Sequence, residues 1–263
     1  MSSFTQKLKE KLFDSNEHPY RYLKKEIETY LKPNHILLDA GCGRYADFLM
    51  KFKDKARTLI GVDLVDFEPD IFLDNINLLN CDLKNINLES ESVDIITSRS
   101  VLEHLDEPLF VYREIHRVLR HGGYFIFLTP NLGHYSTLFS KVIPNKFHPW
   151  IIRRTEGREE KDVFPTYYRS NSSNAIKKLA KESNFNLLDI KFLGQYPCYF
   201  MFNPILFLFA SSYEKAVNRY NIFGPLRGWI LVVLQKSPSR DKSSSQRYKA
   251  DCDNLKVTHF RGL

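Results

Sequence analysis

The amino-acid sequence predicts an α/β protein built on a mostly parallel sheet covered on both faces. Three observations carry this. Strand-like runs alternate with helical patterns from residue 35 onward. Several of those runs, among them HILLD (35–39), RTLIGVD (57–63) and YFIFLTP (124–130), are nearly continuously apolar, as strands buried on both faces are. The 263 residues, 43% hydrophobic and 26% charged, have length for one large domain or two small ones and can bury a substantial core.

Residues 4–31 read as helical, in one or two pieces around His18-Pro19, with Leu8, Leu12, Leu23, Ile27, Tyr30 and Leu31 near helical spacing. Pro33-Asn34 breaks the pattern, so residues 1–34 are expected to form an N-terminal helical cap on a main domain, 35–236. HILLD is the first strand, residues 44–53 suit a helix, and RTLIGVD is a second strand ending in an acid. INLLNCDL (76–83) holds a third strand and VDIITS (93–98) is a fourth. Residues 106–120 form an amphipathic helix with Leu109, Val111, Tyr112, Ile115, Val118 and Leu119 on one side. His121-Gly122-Gly123 is expected to end it, and YFIFLTP is the fifth strand.

Residues 131–170 are irregular and rich in aromatic, His, Pro and Arg residues, which reads as a substrate-loop insertion. A helix over 172–183, with Ser172 or Ser173 as N-cap, leads to a sixth strand, FNLLDIKFL (185–193). WILVVLQK (229–236) is the seventh, and the polar tail 237–263 is expected to be disordered and basic. The stretch YFMFNPILFLFA (199–210), within 196–220, is too short to span a bilayer. Three readings stay open for it: a lid over an apolar pocket, plain core, or a peripheral membrane or dimer contact.

Composition narrows the function. The polar N-terminus MSSFTQKLKEKLF does not read as a signal peptide. Four scattered cysteines suggest neither zinc nor a disulfide framework, and a cytoplasmic location is expected. The net charge of +7 is concentrated in the tail and in residues 141–169, a pattern unlike a nucleic-acid face.

Ligands of such sheets sit at the carboxyl ends of the strands, near the point where strand order reverses. That places Gly41, Asp63, Asp82, Ser98 and Asn131 around one crevice. GCGRYA (41–46) fits a dinucleotide fingerprint with Ala46 in the third glycine's place. Asp39, two residues before Gly41, argues otherwise: a carboxylate repels a pyrophosphate and favours a cationic ligand. Asp63 stands where an acid accepts from ribose hydroxyls. Asp82 is a candidate acceptor for an exocyclic amine, or an Asx-turn residue.

LLDAGCG, GVD, CDL, VDIITSRSVLEHLDEP and REIHRVLRHGGYFIFLTPN occur in order with suitable gaps. Together they resemble the class I S-adenosylmethionine-dependent methyltransferases, in the branch with ubiquinone and small-molecule methyltransferases. The likeness covers roughly residues 35–131 and, more weakly, 172–236. It implies a Rossmann-like, doubly wound seven-stranded sheet with an antiparallel last strand, 229–236. It implies S-adenosyl-L-methionine as cofactor, with Asp39, Gly41 and Gly43 lining the methionine part. Asp63, with Leu64 beside it, would hold the ribose; Asp82, with Cys81 and Leu83, the adenine; and Ser98 and Arg99 would close over the cofactor. Tyr20 and Arg21, with His18, are candidates to reach it from the N-terminal helix.

Methyl transfer needs a base only if the acceptor must lose a proton. His104, His134 and Tyr135 are the catalytic candidates. In related ubiquinone-pathway enzymes a Glu-His pair joins an earlier acid at a divalent metal. Here Ser100 precedes Glu103-His104 in that place, so no metal is expected, and the pair is equally read as shaping the pocket. His148, Trp150, Tyr167, Tyr168 and Arg169 are candidate pocket walls, with Arg153 and Arg154 for an anionic substituent. The expected acceptor is a small, partly apolar molecule (a secondary metabolite, lipid-like compound or sugar) methylated on O, N or C. An NAD-dependent oxidoreductase, a non-catalytic cofactor-binding module and, more weakly, a nucleic-acid methyltransferase are the competing readings.

Overall fold

A computed structural model describes residues 3–14, 18–68, 75–142 and 164–237. His148, Trp150, Arg153, Arg154, most of the 131–170 insertion and nearly all of the basic tail lie outside them. Seven strands make one sheet: β1 (Ile36–Ala40), β2 (Thr58–Asp63), β3 (Ile76–Asn80), β4 (Val93–Arg99), β5 (Leu119–Pro130), β6 (Phe185–Leu193) and β7 (Trp229–Lys236). Their order is β3-β2-β1-β4-β5-β7-β6. All pairings are parallel except those of β7, which runs antiparallel to both β5 and β6. This is the mostly parallel sheet with an antiparallel last strand that the sequence implied.

Among the described residues six α-helices accompany it: α1 (Ser3–Leu12), α2 (Pro19–Tyr30), α3 (Pro108–Val118), α4 (Tyr135–Val142), α5 (Ser173–Glu182) and α6 (Pro204–Arg219). Alternate strand residues feed two cores. Leu38, Ala40, Ile60, Val62 and Phe127 pack with Tyr112 and Ile115 of α3 and Ile176 of α5. Leu37, Leu59, Ile95, Ile126 and Leu231 pack with Leu23 and Ile27 of α2 and with Phe48 and Phe52. Apolar side chains on both strand faces explain why these runs do not alternate with polar residues.

Two local expectations fail. Residues 44–53 hold no α-helix; only Leu49–Phe52 form a 3-10 turn. Ala46 takes a left-handed φ of 48°, which no helix tolerates, and so lets Phe48, Leu49 and Phe52 turn into the core. His121-Gly122-Gly123 does not end α3, which stops at Val118. Those residues bulge within β5: Val93 pairs with Leu119, then Ile95 with Tyr124. A side chain on Gly123 would come within 2.8 Å of the Asp94 carbonyl, and Arg120 Nη1 donates to both Asp94 oxygens at 2.8 and 2.9 Å. The predicted N-cap does hold: the Ser172 hydroxyl accepts from the Ala175 N–H.

Candidate active site

Strand order reverses between β1 and β4, so the crevice opens where Gly41 and Ser100 leave the sheet. The Gly41 and Cys42 amides donate to the Val62 carbonyl at 2.8 and 3.2 Å, folding the chain back over β2. Gly41 and Gly43 have φ of 81° and 74°. Their surroundings differ. A Cβ on Gly41 would lie 2.2 Å from Val101 Cγ2, whereas one on Gly43 would meet nothing within 4 Å. Gly41 is glycine because β4's exit packs on it, and Gly43 because the turn demands that backbone. Gly41→Ala should therefore cost about 2–4 kcal/mol of stability, from left-handed strain plus overpacking, with partial rescue by Val101→Ala. Gly43→Ala should cost only about 1–2 kcal/mol. Urea unfolding measures both, and equal losses at the two positions would contradict this assignment.

Asp63 anchors the same loop. Its Oδ2 accepts from the Gly43 N–H at 2.7 Å, and its Oδ1 from Leu64 and Val65 N–H at 2.8 and 3.2 Å. The Leu64 side chain is exposed. Asp82 is exposed and closes an Asx turn on the Lys84 N–H at 2.8 Å, next to half-buried Cys81 and buried Leu83.

Asp39 is buried at the edge of β1, and its Oδ1 has no hydrogen-bond partner. Burial pushes its pKa up to about 7, with Asp63 raising it further and the Arg99 guanidinium opposing the rise. Arg99 itself lies 4.6 Å from the Tyr20 ring centre and 4.9 Å from that of Phe48. This clamp brings the start of α2 to the crevice. His18 caps α2 by accepting from the Tyr20 N–H at 3.2 Å, and burial lowers its pKa. Arg21 is exposed. Ser98 is buried and donates to the Ala40 carbonyl at 2.8 Å, so it ties β4 to β1. Asn131 likewise faces inward, its amide donating to the Pro225 and Arg227 carbonyls at 2.7 Å each.

The Glu103-His104 pair divides. Both lie in a 3-10 turn, Leu102–His104. Glu103 is buried; its backbone carbonyl accepts from Tyr167 and Tyr168 N–H at 2.7 and 3.1 Å, and its Oε2 from the Thr129 hydroxyl at 3.2 Å. It thus holds the far end of the insertion against β5. His104 is half-buried, with Nδ1 2.9 Å from the Pro165 carbonyl and its ring edge-on to Phe164 at 6.1 Å. A carbonyl only accepts, so Nδ1 carries a proton and Nε2 is the basic nitrogen of the neutral ring. Phe164 and Tyr167 are exposed beside it. Among the described residues no group of three or more His, Cys, Asp or Glu could hold a metal ion.

His134 and Tyr135, just past β5, meet a residue that the sequence reading missed. Glu214 of α6 is completely buried, and its Oε1 lies 2.9 Å from His134 Nε2 and accepts from the Tyr135 hydroxyl at 3.0 Å. His134 Nδ1 is 2.6 Å from the Ser136 hydroxyl. Burial, then Glu214, pushes the Tyr135 pKa well above its ordinary value. Both catalytic candidates at this end of β5 are therefore engaged in a buried cluster. Glu214 was readable in principle: it falls seven residues after buried Phe207, on the same helical row.

The loop also bears on the dinucleotide reading. A pyrophosphate site of that type uses a helix N-terminus directly after the glycines. Here residues 44–48 are not helical, and buried Asp39 lies near enough to Cys42 to help raise its thiol's pKa, after burial.

Comparison with known proteins agrees with this geometry. A family profile described as a methyltransferase domain matches residues 38–127. A protein of Mycolicibacterium smegmatis named probable S-adenosylmethionine-dependent methyltransferase is 36% identical over 135 residues. That alignment covers 49% of this chain and half of the relative's length. Among solved structures, geranyl diphosphate C-methyltransferase from Streptomyces coelicolor A3(2) superposes with a TM-score of 0.56 at 16% identity, covering 90% of this chain and 84% of that one. The cyclase SpnF superposes at 0.55 and 15% identity, covering 84% and 81%. At such identities these two show the fold alone. Over residues 38–127 the chain is thus similar to a methyltransferase domain, and over about half its length to a probable S-adenosylmethionine-dependent methyltransferase, on a sheet whose order reverses between β1 and β4.

Proposed function

We propose that this protein transfers a methyl group to a small, partly apolar acceptor, and that the residues around Gly41 and Gly43 hold the cofactor. The carrying observation is Asp39: a buried carboxylate with an unpartnered oxygen, beside the clamped Arg99. A buried acid with a cation within electrostatic reach matches an amino-acid zwitterion, the carboxylate facing the ammonium and sulfonium charges and Arg99 the ligand's carboxylate. The open side of Gly43 leaves room above the loop. Asp63 and the turn at Cys81–Leu83 stand on the side assigned to ribose and adenine. Bound there, the cofactor supplies a methyl group activated on sulfur; the chain's residues orient it and exclude water.

On the acceptor side, His104 with Phe164 and Tyr167 forms the wall of the proposed pocket. In this reading His104 takes a proton from an O–H or N–H acceptor while the Pro165 carbonyl holds its ring. His134, Tyr135 and Glu214 position the end of β5 and α6 against each other and are not assigned to the chemistry. The partly apolar character of the acceptor rests on Phe164 and Tyr167.

Calorimetry over pH tests this reading. Burial raises the Asp39 pKa from 3.8 to about 7 in the free protein, so the unfolded chain loses this proton first. Stability contributed by protonated Asp39 is therefore fully present below about pH 4 and lost as pH climbs through about 7. A cationic ligand favours the ionised form. S-adenosylmethionine binding should release a proton near pH 6.5 and tighten between pH 6 and pH 8, and Asp39→Asn should abolish both effects. That variant should also be more stable at pH 8, by up to about 4 kcal/mol. His104→Gln should keep binding and lose turnover on an O–H or N–H acceptor. Absence of binding by the intact protein sinks the proposal; binding without turnover across acceptor classes favours a non-catalytic module.

A further inference from the structure

The outer face of α6 is apolar and open. Its inward row is narrow: Phe207, Ser211, Glu214 and Val217. Opposite that row, Ile205 is 66% and Phe209 74% exposed, and Phe202 just before the helix is 57% exposed. Ile222, in the turn that follows, is 82% exposed. Such values mean protruding side chains, not the lining of a groove. Neither plain core nor the inner surface of a lid describes this face.

Charge indicates what covers it. Between Gly194 and Lys236 the sequence has a single acid, Glu214, and it is completely buried. The second half of α6 exposes Lys215 and Arg219. Helix α1 packs beside α6, with the Phe13 ring 6.2 Å from that of Phe207, and Phe4, Lys7 and Lys11 are exposed on α1. Its one acid, Glu10, accepts from Gln6 at 2.9 Å. Protruding Phe and Ile side chains on a helix that also exposes cations have the composition of a helix lying in a lipid–water interface. A second copy fits worse: a two-fold contact through this face would bring cations together with no exposed acid on α6 to meet them. Among the described residues no helix is long and apolar enough to cross a membrane, so the contact is peripheral.

We infer that the α6 face around Phe202, Ile205, Phe209 and Ile222 docks the protein on an anionic lipid surface. This stands independently of the methyl-transfer reading, because its test needs no activity. Full-length protein is sedimented with vesicles of phosphatidylcholine alone and of equal parts phosphatidylcholine and phosphatidylglycerol, at about 0.1 M and at about 0.5 M salt. Charges beyond Lys236 contribute an attraction that high salt screens. The expected result is binding to the anionic vesicles that partly survives at high salt and falls by about tenfold or more in Ile205→Ser/Phe209→Ser. Phe110→Ser, which removes an exposed aromatic from α3, should leave binding unchanged. Thermal melts should show the double variant folded, since neither side chain is in a core. Three results overturn the inference: no binding to anionic vesicles, binding unaffected by the double variant, or a dimer by light scattering that the double variant disperses.

Discussion

Asp63→Ala should lower the affinity for S-adenosylhomocysteine about a hundredfold or more. One carboxylate fastens three backbone N–H groups from two segments, Gly43 after β1 and Leu64 and Val65 after β2. Hydrogen bonds to a charged group contribute roughly 1.5–3 kcal/mol each. Losing them frees the glycine loop, and the ligand must then reorder it. A net loss of about 3 kcal/mol is about two orders of magnitude in affinity. Asp63→Asn is the sharper probe. Its amide keeps one acceptor oxygen but presents an NH2 group to one set of donors, so it should lose about tenfold. The binding constant is read by calorimetry, with a melt to show the fold intact. An alanine variant that binds within threefold of the parent would remove Asp63 from the cofactor site.

The second large effect concerns stability. Glu214→Ala should destabilise the protein by about 3–5 kcal/mol, the usual cost of removing one partner from a buried polar pair. The variant strips buried His134 and the Tyr135 hydroxyl of their common acceptor. It also opens a cavity beneath α6. Glu214→Gln should cost less, because its amide oxygen still accepts from one of the two. Against a total stability of roughly 5–15 kcal/mol, the alanine loss is a large share. Denaturant midpoints with an unchanged slope give the value, and a double-mutant cycle with His134→Ala isolates the pair. A loss below about 1 kcal/mol would mean that the cluster holds nothing together.

The same two clusters show what the sequence could disclose. The strands were legible because buried parallel strands are plain apolar runs, β1 and β2 closing near an acid and β5 at Pro-Asn. Asp39 was legible as a misfit, a carboxylate inside such a run. The stretch 44–53 misled because RYADFLMKF has helix composition, while its conformation is decided by Asp63 pulling on Gly43 and by a left-handed Ala46. Gly122 misled because a bulge glycine and a helix-ending glycine look alike in sequence. Glu214 was passed over because an isolated acid near the end of a helix is ordinarily solvated. Its burial depends on His134, eighty residues earlier, and single-chain patterns do not record such pairings. The separate duties of Glu103 and His104 are hidden for the same reason.

The place of β7 has a consequence for how the chain is made. Among the described residues it is the last strand in sequence, yet it lies between β5 and β6 and supplies every in-sheet partner that β6 has there. While the chain is being synthesised, β5 carries an open edge of long apolar backbone and β6 has nowhere to pair until residues 229–236 emerge. The β6 end of the sheet is completed only when this strand slots in between β5 and β6. Truncation before Trp229 would thus remove more than an end: it would leave the five strands β3-β2-β1-β4-β5 with a sticky flank, the kind of edge on which chains aggregate.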